Sequence, residues 1–306
     1  MYICKTPQTK QALSDYYSLR WEILRKPWGK PQGSEQDELE PQAFHRMITD
    51  DEGNILAVGR LHAVSQYQAQ VRYMAVASQA QSKGLGRRML SELERLAAEY
   101  GIKEIVLNAR ESALPFYQQA KFKNNGFTHR LYDEIDHYKM SKVITKPESH
   151  EAELATELQH TWHQTIPMSK AMNIDISYYN KQCLITSCDL DFNKNLHNTM
   201  FAGSVYTLGT LTGWGWVYLQ LKQQGLLGDI VLAEGNIRYH KPLAGVPHAR
   251  VNIEQVDGDF VALSKGKKAK IKISVEVGCG DVTAATFSGL YVVIPQDKLV
   301  NAPKEN

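Results

Sequence analysis

From Asn195 to Leu221 the chain reads NLHNTMFAGSVYTLGTLTGWGWVYLQL, with no Asp, Glu, Lys or Arg anywhere in it. A helix of that composition has no polar face to turn to water, so it must be buried nearly all round. No stretch of the chain gives 18 unbroken apolar residues, so a membrane is not what buries it. The cover comes from the strands that follow: DIVLAEGNIRYH, ARVNIEQV, KKAKIKISVEV and DVTAATFSGLYVVI. One long helix from about Ala202, preceded by a helix bearing Leu154, Leu158 and Trp162 on one face and by two strands, predicts a sheet wrapped around that helix.

That half is not the whole chain. At 306 residues two domains of ordinary size are expected, each able to bury a core. The break falls in KVITKPESHEAEL, where Lys146 and Pro147 interrupt a β-rich run and Ser149 can cap a helix with Glu151 and Glu153 in its first turn. The expected domains are therefore 1–146 and 149–306. Upstream of the break, helical and strand patterns alternate: QALSDYYSLRWEIL (helix), ILAVGRLHAV and QVRYMAVAS (strands), a helix from Leu85, EIVLNA (strand), a helix around ALPFYQQA, and HYKMSKVI (strand). This is a mixed α/β domain.

Composition narrows the function classes. With 43% hydrophobic and 22% charged residues and a formal net charge of +2, the chain is an ordinary globular protein whose charge gives no argument for nucleic acid. The start MYICKTPQTKQ has neither a basic segment followed by an apolar core nor an Arg-rich transit pattern, so a cytoplasmic location is expected. Cys4, Cys183, Cys188 and Cys279 form no CxxC pair and join no histidine at zinc spacing, so they read as reduced packing residues with no metal site.

In the first domain, VRYMAVASQAQSKGLGRRML is a strand, a short turn and then Gln81-Ser82-Lys83-Gly84-Leu85-Gly86 opening a helix. Free amides and the positive end of the helix converge there, glycines let an anion approach the backbone, and Lys83, Arg87 and Arg88 add charge, as a pyrophosphate site requires. An ordinary strand-to-helix turn is the alternative. Together with LNARESALPFYQQAKFKNNGF one strand later, the Q-x-x-G-x-G pattern resembles the GNAT acetyltransferase family over roughly residues 1–145. The resemblance implies coenzyme A or acetyl-CoA held by the amides of Lys83, Gly84, Leu85, Gly86 and Arg87. It also implies Val76 where a splayed strand binds the pantetheine and polarises the acetyl carbonyl, Asn108 as a pantetheine contact, and Tyr117 as the acid for the departing thiolate, Tyr117 as a core aromatic being the alternative. The strand carries no carboxylate to serve as a base, which leaves the acceptor open.

The second domain, with NKNLHNTMFAGSVYTLGTLTGWG followed by AEGNIRYHKPLAG, resembles the hotdog thioesterase superfamily over roughly residues 150–296. The resemblance implies an oxyanion hole from the amides around Ala202, Gly203 and Ser204 at the start of the central helix. It also implies an Asp or Glu about two turns later, yet the seventh position after Gly203 is Thr210. Thr207, Thr210 and Trp214 share that helical face and none is a base near neutral pH, so hydrolysis should be weak or absent.

Decarboxylating a malonyl thioester makes a different demand: charge collects on the thioester oxygen, which calls for donors and a dry pocket and for no base. A GNAT domain followed by a carboxylate-free hotdog domain resembles the fused malonyl-acyl carrier protein decarboxylases of bacterial fatty acid synthesis. That resemblance implies acetyl-ACP as product, Asn195 as the residue orienting the malonyl group, Thr207 as its helix partner, and a homodimer formed through the hotdog domain. Asn195 as a turn-forming residue is the alternative. His197 is a secondary candidate base, while Trp214, Trp216 and Tyr218 read as core and dimer packing.

Lys268, Lys270 and Lys272 alternate with Ala269, Ile271 and Ile273, giving a solvated strand face or a surface for an acidic carrier protein or coenzyme A. Three readings stay open: a lyase acting on malonyl-ACP or malonyl-CoA, a GNAT N-acetyltransferase fused to an acyl-CoA thioesterase or regulatory hotdog domain, and an acyl-thioester-binding protein.

Overall fold

The computed structural model describes residues 1–145 and 148–296. The interruption expected at Lys146 and Pro147 lies outside the described residues, as do residues 297–306. By its contacts the chain divides into two units, Met1–Lys146 with Cys279–Val282, and Pro147–Gly278 with Thr283–Asn306.

The first unit runs β1 (Ile3–Lys5), α1 (Lys10–Leu24), β2 (Ala43–Thr49), β3 (Ile55–Ala63), β4 (Gln68–Val76), α2 (Leu85–Glu99), β5 (Glu104–Arg110), α3 (Leu114–Gln119), β6 (Lys123–Leu131) and β7 (Ile135–Val143). Its sheet has the order β1-β2-β3-β4-β5-β7-β6. Thr9 caps α1, its hydroxyl accepting from the Ala12 amide at 3.1 Å. Helix α2 buries Leu85, Met89, Leu93 and Leu96, residues spaced three or four apart, in the core beneath the sheet.

Three strands of this mixed sheet were not foreseen. Strand β2 is buried on both faces, so AFHRMIT lacks the alternation that marks a strand. Strand β6 is an exposed edge strand with register shifts and a left-handed Gly126, so it too shows no period. The short β1 is the third addition.

The parallel strands β4 and β5 pair only from Gln68–Gln70 against Glu104–Val106. Just beyond, β4 carries one extra residue relative to β3, and Tyr73 adopts φ 55° to accommodate it. The bulge bends β4, and a cavity opens between the two unpaired strand ends.

The second unit comprises α4 (His150–Thr165), α5 (Pro167–Ala171), β8 (Asp175–Asn180), β9 (Cys183–Ser187), α6 (Ala202–Gln223), β10 (Gly228–Tyr239), β11 (His248–Asn252), β12 (Val256–Asp257), α7 (Val261–Ser264), β13 (Ala269–Cys279) and β14 (Val282–Pro295). The sheet order is β10-β14-β13-β11-β9-β8, with β12 on β13, and its pairings are antiparallel. Around the long helix this is the hotdog arrangement.

Ser149 caps α4 through the Ala152 amide at 3.2 Å, with Glu151 and Glu153 in the first turn. The expected strand ARVNIEQV is split after Asn252, where Asn252 and Gln255 form a reciprocal capping box around a 3₁₀ turn. In β13, Lys270 and Lys272 are exposed while Ala269, Ile271 and Ile273 are buried.

Helix α6 ends where Gly225 turns left-handed and the Leu226 amide reaches back to the Leu221 carbonyl at 2.9 Å. Its glycines allow close packing: a Cβ on Gly213 would stand 2.9 Å from the ring of Tyr291 on β14. The helix is not buried all round, which corrects the expectation. Thr207, Thr210, Trp214 and Tyr218 remain half-exposed, a stripe that the sheet and α4, whose Leu158 and Trp162 pack at Gly215, leave partly open.

Candidate functional site

The turn from β4 into α2 has the geometry of an anion cradle. Gly84 takes φ +76° at the helix N-cap, a left-handed backbone that side chains rarely adopt. The first amide of the helix with a carbonyl partner is that of Arg88, 3.0 Å from the Gly84 oxygen. Among the described residues the amides of Lys83, Gly84, Leu85, Gly86 and Arg87 have no acceptor. Leu85 offers only its amide, since its side chain is buried in the core, whereas Lys83, Arg87 and Arg88 are exposed around the turn. A Cβ on Gly86 would lie 3.7 Å from Val76 and 3.6 Å from Phe116, ordinary contact distances, so the turn packs against the end of β4 and the start of α3 without requiring a glycine at this position. These features fit the pyrophosphate and pantetheine of coenzyme A.

Asn108 and Tyr117 meet in the cavity between β4 and β5, which has a volume of about 390 Å³. The Tyr117 hydroxyl lies 4.0 Å from the Met74 sulfur, and burial pushes its phenol up to about 12. It therefore stays protonated at neutral pH and can give a proton to a thiolate.

Sequence reading missed the rest of this cavity. Arg25 at the C-terminal cap of α1, Arg110 on β5, His129 on β6 and His137 on β7 line it, brought together from distant segments. Two carboxylates near the cavity's arginine and tyrosine side chains are already committed. Asp37 bonds Arg60 at 3.0 Å, Arg72 at 2.8 Å and the Tyr73 hydroxyl at 3.1 Å, and Glu40 binds the fully buried Arg20 at 2.9 Å. Burial alone would raise the Asp37 carboxyl, but its bond to Arg60 and the charges of Arg60 and Arg72 hold it down at about 2. It is too weak a base to take a proton from an amine.

In the second unit the chain enters α6 through a closed loop. Lys194 and Met200 form a bridge, and the Phe201 amide donates to the Asn193 carbonyl at 2.7 Å. Phe201 is the N-cap and supplies no side-chain partner; the Val205 amide is the first to find a carbonyl, that of Phe201 at 3.0 Å. The amides of Ala202, Gly203 and Ser204 are left without an acceptor among the described residues, and the first turn holds no acid.

Asn195 builds the loop: its Oδ1 accepts from the His197 amide at 2.9 Å, and its Nδ2 donates to Thr199 Oγ1 at 3.1 Å. The turn holds the amide in one orientation and leaves its second Nδ2 hydrogen without an acceptor among the described residues. His197 is exposed on this loop. The Thr207 hydroxyl donates to the Gly203 carbonyl at 3.0 Å, so its proton is already engaged. Thr210 differs: its hydroxyl is buried with no partner among the described residues, while its carbonyl accepts from the Tyr291 hydroxyl at 2.7 Å. Thr210, reached in the sequence by counting to the position where an acid was expected, is thus a buried hydroxyl on the half-exposed face of α6.

Among the described residues no three His, Cys, Asp or Glu side chains gather as a metal site would, and no helix is long and apolar enough to cross a membrane.

Residues 13–122 match the family described as "Acetyltransferase (GNAT) family", and residues 155–295 match "Putative thioesterase (yiiD_Cterm)". The "Uncharacterized N-acetyltransferase YjcF" of Bacillus subtilis is 29% identical over 135 residues, 44% of this chain and 95% of that protein. The "UPF0039 protein C11D3.02c" of Schizosaccharomyces pombe is 31% identical over 108 residues, 35% of this chain and 71% of that protein. A solved "putative thioesterase" from Shewanella oneidensis is 44% identical, covering 47% of this chain and 99% of its own, with a TM-score of 0.45. The chain thus carries a GNAT acetyltransferase domain followed by a C-terminal putative thioesterase domain of the yiiD_Cterm type, the two fused in one polypeptide.

Proposed function

We propose that the hotdog domain, residues 149–306, decarboxylates a malonyl thioester, malonyl-ACP or malonyl-CoA, to the acetyl thioester, a cytoplasmic reaction that would prime fatty acid synthesis. One observation carries the reading. The start of α6 offers the free amides of Ala202, Gly203 and Ser204 with no Asp or Glu on the helix face beyond them, where Thr210 stands instead.

In this reaction the bond from the α-carbon to the carboxylate breaks, CO2 leaves, and the electron pair moves onto the thioester oxygen. The free amides and the Thr210 hydroxyl stabilise that charge, and a proton from solvent then completes the acetyl group. A carboxylate on this face would repel the substrate's own carboxylate, so its absence suits a malonyl group. Asn195, its amide set by the loop, orients the malonyl head, with Thr207 as its partner on the helix.

Strand β10 is a twelve-residue edge strand with exposed Val231 and Tyr239, and the open stripe of α6 lies on the same domain. A second copy covering both would dry the site and make the homodimer the active form. The first domain, residues 1–146, binds acetyl-CoA at Lys83–Arg87, with Val76, Asn108 and Tyr117 along the pantetheine and acetyl group.

Incubating the full chain with malonyl-ACP and resolving the products by mass tests the reading. Acetyl-ACP with CO2 is the expected outcome; free malonate without acetyl-ACP means a hydrolase.

A further inference from the structure

The GNAT-domain cavity carries positive charge with no carboxylate paired to it among the described residues. Arg25 and Arg110 line it half-buried, and among the described residues neither lies within salt-bridge distance of a carboxylate. Among the described residues their hydrogen-bond acceptors are backbone carbonyls, Ser34 at 2.9 Å and Leu24 at 3.2 Å for Arg25 and Leu24 at 3.4 Å for Arg110, and each guanidinium also lies over a ring, Arg25 over Tyr73 at 5.5 Å and Arg110 over Trp28 at 5.9 Å. Burial and the neighbouring Arg25 both push the Arg110 guanidinium below its ordinary value, the signature of a cation awaiting an anion. No Asp or Glu lines the cavity, and the third arginine there, Arg72, is paired with Asp37.

Two imidazoles stack on the same wall. His129 and His137 lie 4.8 Å apart and nearly parallel, at 4°. The Ile135 carbonyl can only accept, so His137 Nδ1, 3.0 Å away, carries the ring proton and Nε2 keeps a lone pair. Thr128 donates to the His137 carbonyl at 3.0 Å, so its oxygen accepts from His129 Nδ1 at 3.0 Å, which leaves the second imidazole in the same tautomer. Burial and the charges of His129, Arg110 and Arg25 favour the neutral form of His137, against the opposing pull of the Ile135 hydrogen bond.

We propose that this cavity is the acceptor site of an acetyltransferase, that Arg25 and Arg110 bind the anionic group of a small amine bearing a carboxylate or phosphate, and that His137 is the base. This rests on the reading that the turn at Lys83–Arg87 binds acetyl-CoA. The cationic wall disfavours an ammonium, so the amine enters in its neutral form. Its nitrogen attacks the acetyl carbon; a C–N bond forms and the C–S bond breaks. The proton leaving nitrogen goes to His137 Nε2, and the thiolate takes one from Tyr117. Solvent restores both groups, so an amine and acetyl-CoA give an amide and coenzyme A.

The full chain is tested with acetyl-CoA and, separately, L-glutamate, L-aspartate and O-phosphoethanolamine as anionic amines, with spermidine and cadaverine as cationic ones. Acetylated product is read by mass and acetyl-CoA binding by calorimetry. At least one anionic amine is acetylated, and which of them reacts distinguishes carboxylate from phosphate; the polyamines are not. Arg25→Gln and Arg110→Gln each raise the KM for the anionic amine about ten- to a hundredfold, leaving acetyl-CoA affinity unchanged. His137→Gln lowers kcat about a hundredfold or more with acetyl-CoA still bound. Bound acetyl-CoA with transfer only to polyamines, with transfer to none of the amines, or with full activity in His137→Gln overturns the proposal. No acetyl-CoA binding by the wild type removes the coenzyme A reading itself.

Discussion

Replacing Ala202 with proline would delete one amide hydrogen from the start of α6 and almost nothing else. Ala202 is the first helical residue and its amide has no acceptor among the described residues, so no structural hydrogen bond is lost. Proline is favoured at this position because its fixed φ suits the first turn. It also requires an extended residue before it, and Phe201 already has φ −61° and ψ 137°. The Ala202 side chain is exposed, leaving room for the ring, and its carbonyl continues to accept from the Tyr239 hydroxyl at 2.9 Å. Gly203 would not serve, since a Cβ there falls 2.5 Å from the Phe201 ring. Stability should therefore hold or rise by roughly 0.4–1 kcal/mol from the stiffer unfolded chain. If the amide holds the charge that forms on the thioester oxygen, its loss costs about 2.7–4 kcal/mol of the barrier, roughly a hundred- to a thousandfold in rate. Timed conversion of malonyl-ACP to acetyl-ACP by mass, beside thermal unfolding, reads both quantities. A folded Ala202→Pro protein working at the wild-type rate would refute the assignment of this amide.

Asn195→Asp keeps the acceptor that closes the loop but removes the Nδ2 donor and adds charge; it should unfold at the wild-type temperature and lose most decarboxylation, and normal turnover would reduce Asn195 to a turn residue. Thr210→Val removes a buried hydroxyl with no partner among the described residues, so thermal unfolding should show equal or greater stability while turnover falls; a clear loss of stability would mean the hydroxyl has a structural partner. Gly84→Glu places a side chain at φ +76° and an acid beside the free amides, and calorimetry should show acetyl-CoA binding lost; intact binding would move the coenzyme elsewhere. Asp37→Asn should lower the unfolding temperature at pH 7. Because the folded Asp37 is held at about 2, below its ordinary 3.8, its contribution is complete above about pH 4 and fades as pH falls toward 2, so the gap between variant and wild type should close over that window. A gap independent of pH would assign the effect to packing.

Local patterning was enough to define most elements. The uncharged run from Asn195 to Leu221 dictated a covered helix, and α6 begins at Ala202 where the small residues begin. Lys83–Arg87 announced a helix start with free amides, because capping and glycine chemistry act over a few neighbouring residues. Strands β2 and β6 escaped because one is buried on both faces and the other on neither, and hydrophobic periodicity records only a difference between faces. The same limit hid the open stripe on α6: the sequence shows which residues prefer burial, while the packing of the sheet and α4 decides which side is covered. Asn195 and Thr207 were visible as residue types, but whether their donors are free depends on the loop and helix carbonyls they meet. Arg25, which caps α1, and Arg110, His129 and His137 on three strands are separated by up to 112 positions, 137 minus 25. Only the tertiary fold could gather them, because the bulge at Tyr73 and the short pairing of β4 with β5 open the cavity they line.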